Sequence, residues 1–396
     1  MFMFGGVLLA FSAIAAASHG NKAHWQSTEP VAAFGAAPSV AVRRMTVEPL
    51  DSARLARAYA EAARLPRLRS LLVQSRGTMV GERYYRGATA ATPANIKSAS
   101  KSVISALVGI ALHEKRLRAL EQPLSELLPD AARGLDVAKR AITLQDLLTM
   151  RAGLQPTSFG NYGAWVSSPN WVRDALRRPM VSPPGHQGGP MLYSTGSTHL
   201  MSAALVRATG TSTHEYAQRV LAKPLGFRLR GWTTDPQGIH FGGNEMRMTP
   251  REMLAFGTMY LNGGRAPDGT QVVPREWIDS SWVVRTSSPF NGNGYGYGWW
   301  HKRLAGHDVH FAWGYGGQFV FIVPDLALVV VTTSDPNAER ERGHLDAIYG
   351  LLEREIIPAV GGELALVPKA LHHCKWRIAT PSTDAGGLTA WLRRCA

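Results

Sequence analysis

Cysteine is nearly absent: the 396 residues hold two, Cys374 and Cys395, both in the C-terminal tail. Such usage suits an oxidising compartment, where the pair would form a disulfide tying down the tail. Two free thiols are the alternative, and spacing alone does not choose between them. His372-His373-Cys374 matches no usual zinc spacing, so no metal is assigned. Charge is also scarce. Charged residues make up 18% of the chain against 45% hydrophobic ones, which excludes a disordered or fibrous class and places the function in a site on a folded body. No segment repeats at a fixed period, which excludes a solenoid or propeller. The length suits one large domain or two intertwined ones.

What charge there is runs to one sign, with a formal net of +14. The arginines are scattered, and no zinc finger, basic-leucine heptad or RNA-binding aromatic signature accompanies them, so nucleic acid is not the expected partner. A basic solvated surface accounts for the excess, and association with an anionic envelope surface is the other reading it allows. Residues 2–17 form an apolar run ending in Ala15-Ala16-Ala17-Ser18, too short to span a bilayer comfortably. It resembles the core and cleavage site of a secretory signal, although no Lys or Arg precedes it. The expected location is periplasmic or secreted.

Residues 18–44 read as an Ala-, Gly-, Ser- and Pro-rich linker, 45–360 as the folded domain and 361–396 as a C-terminal tail. Within the domain, a helix is expected over 51–63 with Asp51 as N-cap, and a hairpin from 70–75 through Gly77 to 79–85. A helix apolar on all sides, and therefore buried, is expected over 98–113. Further helices fall at 143–150, 170–177, 197–209 and 213–221, then a hairpin pairing 319–323 with 326–332, and a last helix over 344–356. Strands at both ends of a helical middle imply an α+β fold: an antiparallel sheet built from N- and C-terminal segments, flanked by helices, with an all-helical subdomain inserted at about 115–250. The cleft should lie between sheet and insertion.

Three pieces carry chemistry. Ser98-Ala99-Ser100-Lys101 puts a hydroxyl and an amine three residues apart, on one face of a helix. A serine is a weak nucleophile at neutral pH, and a lysine can take its proton only if burial lowers the amine's pKa; the apolar helix offers that burial. Tyr193-Ser194-Thr195-Gly196 supplies a phenol able to relay protons, or a tyrosine merely packed at a helix start. Trp313-Gly314-Tyr315-Gly316-Gly317-Gln318 leads into a strand with glycines that let backbone approach a ligand, where N–H groups could face an oxyanion.

In order and spacing, Ser98-x-x-Lys101, the segment Ile142 to Met150 with Gly153-Leu154, Tyr193-Ser194 and the glycine-rich strand resemble the penicillin-recognising serine hydrolase superfamily. Pro224-Leu225-Gly226-Phe227, Met248-Thr249-Pro250, Leu261-Asn262-Gly263-Gly264 and Gly296-Tyr297-Gly298-Trp299 extend the likeness. The resemblance implies a β-lactamase/D,D-peptidase-like fold, Ser98 as nucleophile, Lys101 as its base, Tyr193 as acid/base partner, and an oxyanion hole from the N–H groups of Ser98 and Tyr315. It implies no cofactor. Substrate contacts would come from Thr195, Trp313 and Gly314; Tyr162 and Trp165, on an aromatic loop beside the cleft, either contact substrate as well or are surface aromatics that fix a long loop. Two departures matter. Thr195 stands where β-lactamases carry the amide of a Y-x-N motif, and the strand His310-Phe311-Ala312-Trp313 lacks the lysine of a K-T-G triad. Both favour a small ester or amide substrate, near the esterases and 6-aminohexanoate-dimer hydrolases, over a β-lactam or peptidoglycan substrate. A non-catalytic binding protein that kept the fold is the rival from another class, and the sequence leaves the oligomeric state open.

Overall fold

The computed structural model describes residues 50–338 and 343–361. The expected signal segment, the linker, the tail and both cysteines lie outside the described residues. Ten strands form among the described residues, in chain order: β1 (Leu68–Ser75), β2 (Thr78–Tyr84), β3 (Ala94–Asn95), β4 (Arg247–Met248), β5 (Thr286–Ser287), β6 (Gly294–Tyr295), β7 (Trp300–Leu304), β8 (His307–Gly314), β9 (Gln318–Val323) and β10 (Leu328–Ser334). Eight of them make one sheet in the order β2-β1-β10-β9-β8-β7-β6-β5, with every pairing antiparallel. N- and C-terminal segments meet where β1 lies on β10, Leu72 opposite Val331. The remaining pair, β3 and β4, forms a separate two-stranded ribbon.

Helices cover both faces of this sheet, which is why β9 and β10 read as unbroken apolar runs rather than alternating ones. Successive side chains still point to opposite sides. Phe319, Phe321, Leu328 and Val330 join a cluster with Leu55, Ala58 and Ala62 of the Ser52–Arg64 helix and with Ile348 and Leu351 of the His344–Leu351 helix. Val320, Ile322, Val329 and Val331 join the larger core on the other side, with Val103, Leu107 and Val108 of the Ser100–His113 helix, Leu200 and Leu205 of the Thr195–Thr209 helix and Phe256 of the Pro250–Leu261 helix. Asp51 caps the first helix, its carboxylate accepting from the N–H groups of Ala53 and Arg54 at 3.0 Å. Between β3 and β4 the described chain is mainly helical, and its Thr213–Ala217 helix runs on through Gln218–Ala222 with the wider pitch of a π-helix.

Some boundaries differ from expectation. Ser98 sits in the tight turn Lys97–Ala99, just ahead of the α-helix that starts at Ser100. The helix expected from 197 starts at Thr195, because Ser158 and Thr157 supply the missing acceptors: Ser158 Oγ accepts from Thr195 N–H at 2.9 Å and Thr157 Oγ1 from Gly196 N–H at 2.7 Å. A cap drawn from a distant segment leaves no local sequence signature.

Candidate active site

The buried Ser100–His113 helix carries Lys101 inward, where its side chain is 2% exposed. Nζ lies 3.0 Å from Ser98 Oγ, 2.8 Å from the carbonyl oxygen of Gly243 and 3.3 Å from Thr195 Oγ1. None of these partners is a carboxylate. Burial therefore acts unopposed and pushes the ammonium down to about 7, so that the amine is substantially neutral near neutral pH. Ser98 Oγ thus stands beside an amine able to accept its proton.

Tyr193 shares the cavity wall with Ser98, and Lys101 Nζ lies 5.1 Å from the centroid of its ring. Its ring is held by Trp300, stacked at 5.7 Å, and by the edge of Tyr295 at 6.4 Å. Burial pushes the phenol up to about 12, against the opposing pull of the Ser98 hydroxyl. Tyr193 is therefore a proton donor over the ordinary pH range, while Lys101 is the acceptor: two groups whose environments separate their roles.

The backbone ahead of Ser98 is strained. Lys97 holds φ at +50°, in the left-handed region, at a cost of roughly 1–3 kcal/mol. Three contacts fix it. Lys97 N–H donates to Asn95 Oδ1 at 3.1 Å, its carbonyl accepts from Ser100 Oγ at 2.8 Å, and its ammonium lies 2.8 Å from Glu245 Oε1. Glu245 is itself left-handed, at φ +57°, and its other oxygen accepts from Asn95 Nδ2 at 2.6 Å. Three successive residues thus grip the site: Gly243 holds Lys101, Asn244 donates from Nδ2 to the Tyr162 hydroxyl at 2.7 Å, and Glu245 holds Lys97. Behind them, buried His199 joins Asp235 at 3.0 Å and accepts the N–H of Gly242 on Nδ1 at 3.4 Å. No motif in the sequence announces this segment, since its key contact is a main-chain carbonyl.

Ser98 and Tyr193 open onto a cavity of about 690 Å³. Tyr162, Thr195, Trp313 and Tyr315 line it, as does Asn244, which sequence reasoning missed. Phe159 and Phe290, 68% and 75% exposed, meet at 5.6 Å between ring centroids at its mouth. Tyr315 lies in the turn between β8 and β9. Trp313 faces the cavity and keeps a buried indole N–H with no partner among the described residues.

Two expected substrate contacts are corrected. Trp165 is fully buried, its indole donating to the carbonyl of Trp171 at 2.9 Å and its ring packed on Trp171, His199 and Phe241; it belongs to the core under the aromatic loop. Gly314 does not line the cavity. A Cβ there would stand 2.0 Å from the Ile96 carbonyl oxygen, so the glycine serves to bring β8 against the segment that presents Ser98.

The Beta-lactamase family model matches residues 53–352. The 6-aminohexanoate-dimer hydrolase of Paenarthrobacter ureafaciens is 26% identical over 345 residues, covering 77% of this chain and 85% of its own. Among solved structures, EstCE1, described as a hydrolase with promiscuous acyltransferase activity, gives a TM-score of 0.63 at 17% identity, covering 79% of this chain and 99% of its own. The octameric penicillin-binding protein homologue from Pyrococcus abyssi gives 0.58 at 18% identity, over 77% and 78% of the two chains. These structures share the fold, and the family match takes in most of the chain. The chain therefore belongs to the beta-lactamase family and is a serine hydrolase of that superfamily.

Proposed function

We propose that the chain hydrolyses small esters or amides through an acyl-enzyme on Ser98. The observation that carries this reading is the contact of Ser98 Oγ with a buried lysine amine that has no carboxylate beside it. As Oγ bonds to the substrate carbonyl carbon, its proton passes to Lys101 Nζ and the carbonyl electron pair moves onto oxygen. The N–H groups of Ser98 and Tyr315 hold that oxyanion, helped by the N-terminal end of the Ser100–His113 helix. Collapse breaks the bond to the leaving group, which takes the Tyr193 proton; the Lys101 ammonium restores it. Water then repeats the sequence on the acyl-enzyme.

Substrate class follows from the walls. Phe159 and Phe290 at the mouth and Trp300 and Trp313 deeper in suit an apolar portion, and Trp313 occupies the strand where a K-T-G lysine would hold a β-lactam carboxylate. The likeness to a 6-aminohexanoate-dimer hydrolase supports amides within the range. Export to the periplasm or beyond is part of this proposal, on the strength of residues 2–17. A panel of 4-nitrophenyl esters, short amides and nitrocefin tests the reading: esters or short amides should turn over, and nitrocefin slowly or not at all. Turnover of nitrocefin faster than every ester would replace it with a β-lactamase.

A further inference from the structure

Beside the first cavity lies a second, of about 460 Å³. Lys97 lines both. The second is polar and cationic: Arg69, Arg86, Lys97 and Arg247 line it against the single carboxylate of Asp335. Asp335 is taken, at 2.7 Å from Arg69, and Lys97 is matched by Glu245 at 2.8 Å. Arg86 donates to the carbonyls of Leu68 and Ala63 and meets no carboxylate among the described residues. The Arg247 guanidinium, on β4, has no hydrogen-bond or ion-pair partner among the described residues. Two guanidinium charges therefore face one cavity without a carboxylate partner among the described residues, next to Thr89 and Thr92. Guanidinium groups in a polar recess recognise carboxylate or phosphate oxygens.

We propose that this recess is an anion subsite that takes the charged end of a substrate whose scissile carbonyl lies at Ser98, so that the enzyme prefers esters or amides bearing a carboxylate or phosphate. The inference rests on the acyl-enzyme reading above and adds the substrate's charge to it. Arg247 is exposed, and β4 is held through its main chain, so substitution there leaves the fold in place.

The test compares the neutral ester 4-nitrophenyl butyrate with two carboxylates of similar size, mono-4-nitrophenyl adipate and 3-butyryloxybenzoate, which place the charge on the acyl and leaving sides. In the wild type at least one charged ester should show the lower KM. Arg247→Ala should raise that KM about tenfold and Arg247→Glu more, Arg247→Lys should stay within about threefold, and butyrate should be unchanged in all three. Equal effects on neutral and charged esters, or none on either charged ester, would overturn the subsite while leaving the hydrolase reading intact. Should the wild type hydrolyse no ester and resist fluorophosphonate labelling, the hydrolase reading fails; the subsite is then judged by thermal shift with adipate and with inorganic phosphate. Stabilisation of the wild type but not of Arg247→Glu sustains anion binding there, and its absence overturns it.

Discussion

The carbonyl of Gly243 accepts a hydrogen bond from Lys101 Nζ at 2.8 Å, so a residue far away in sequence helps aim the amine at Ser98. Gly243 owes that position to its left-handed backbone, at φ +90°, and to a lack of side chain, since a Cβ would stand 3.0 Å from Lys101 Nζ and Cγ. The chemistry of the site then follows from one buried amine and its surroundings.

Burial holds Lys101 at about 7, and the neutral amine is the active form. Activity should therefore rise with pH through an inflection near 7, about tenfold per pH unit on the acidic side. Tyr193, pushed up to about 12, stays protonated over the same range, so kcat/KM should hold a plateau above neutrality until the phenol begins to ionise. A profile of kcat/KM against pH on 4-nitrophenyl butyrate checks both limbs. Tyr193→Phe should keep the ring stacking on Trp300 and lower kcat by roughly 10²–10⁴.

The same burial makes Lys101 a burden on stability. Its folded pKa lies below its unfolded one, so the unfolded chain binds more protons between about 7 and 10.5, and stability rises with pH across that window. Below about 7 the amine is charged in both states and the full penalty, on the order of a few kcal/mol, is present. Lys101→Met should raise the Tm most in acid, with the gain fading towards pH 10.5, and should remove activity. Thermal melts of the two proteins across pH measure the difference.

His199 is a positioning residue. It touches neither Ser98 nor the cavity, but its Nδ1 accepts the Gly242 N–H immediately before the Gly243 carbonyl that holds Lys101. His199→Phe removes one hydrogen bond from the buried Asp235 carboxylate, which keeps those from the N–H groups of Gln237 and Ile239, at a cost of roughly 1–3 kcal/mol. Losing the Gly243 acceptor would disfavour the ammonium further, so the acidic limb of kcat/KM should shift to lower pH while kcat falls. A merely structural role would lower the folded fraction and leave the limb where it was. Asp235→Asn, which keeps a hydrogen-bond partner for the ring, should fall between the two.

Gly314→Ala should destabilise the protein by roughly 3 kcal/mol and lower kcat, because the added methyl meets the Ile96 carbonyl, two residues before Ser98. Chemical denaturation and kinetics on the same preparation would separate the two effects.

Much of this was legible in the sequence, for reasons that also explain the failures. Asp51 and Ser98-x-x-Lys101 act through neighbours two or three residues away, and the apolar runs of β9 and β10 disclose a sheet covered on both faces. Trp165 was misplaced because an aromatic residue in a loop looks the same whether it faces a cleft or, as here, packs on His199 and Phe241. Gly314 was misread for a related reason: a glycine allows close approach without saying to what. The Gly243 to Glu245 grip, the distant caps at Thr157 and Ser158 and the cationic recess around Arg247 arise from chain segments brought together only by folding, and main-chain acceptors leave no residue type to recognise.

The central claim is that Ser98 is a nucleophile activated by Lys101. Its most direct test is labelling of the purified wild type, Ser98→Ala and Lys101→Met with a fluorophosphonate probe at several pH values, read by intact mass. A single adduct on the wild type alone, forming faster as pH rises through about 7, is the predicted result. Equal labelling of Ser98→Ala, or a folded wild type that stays unlabelled at every pH, would contradict it.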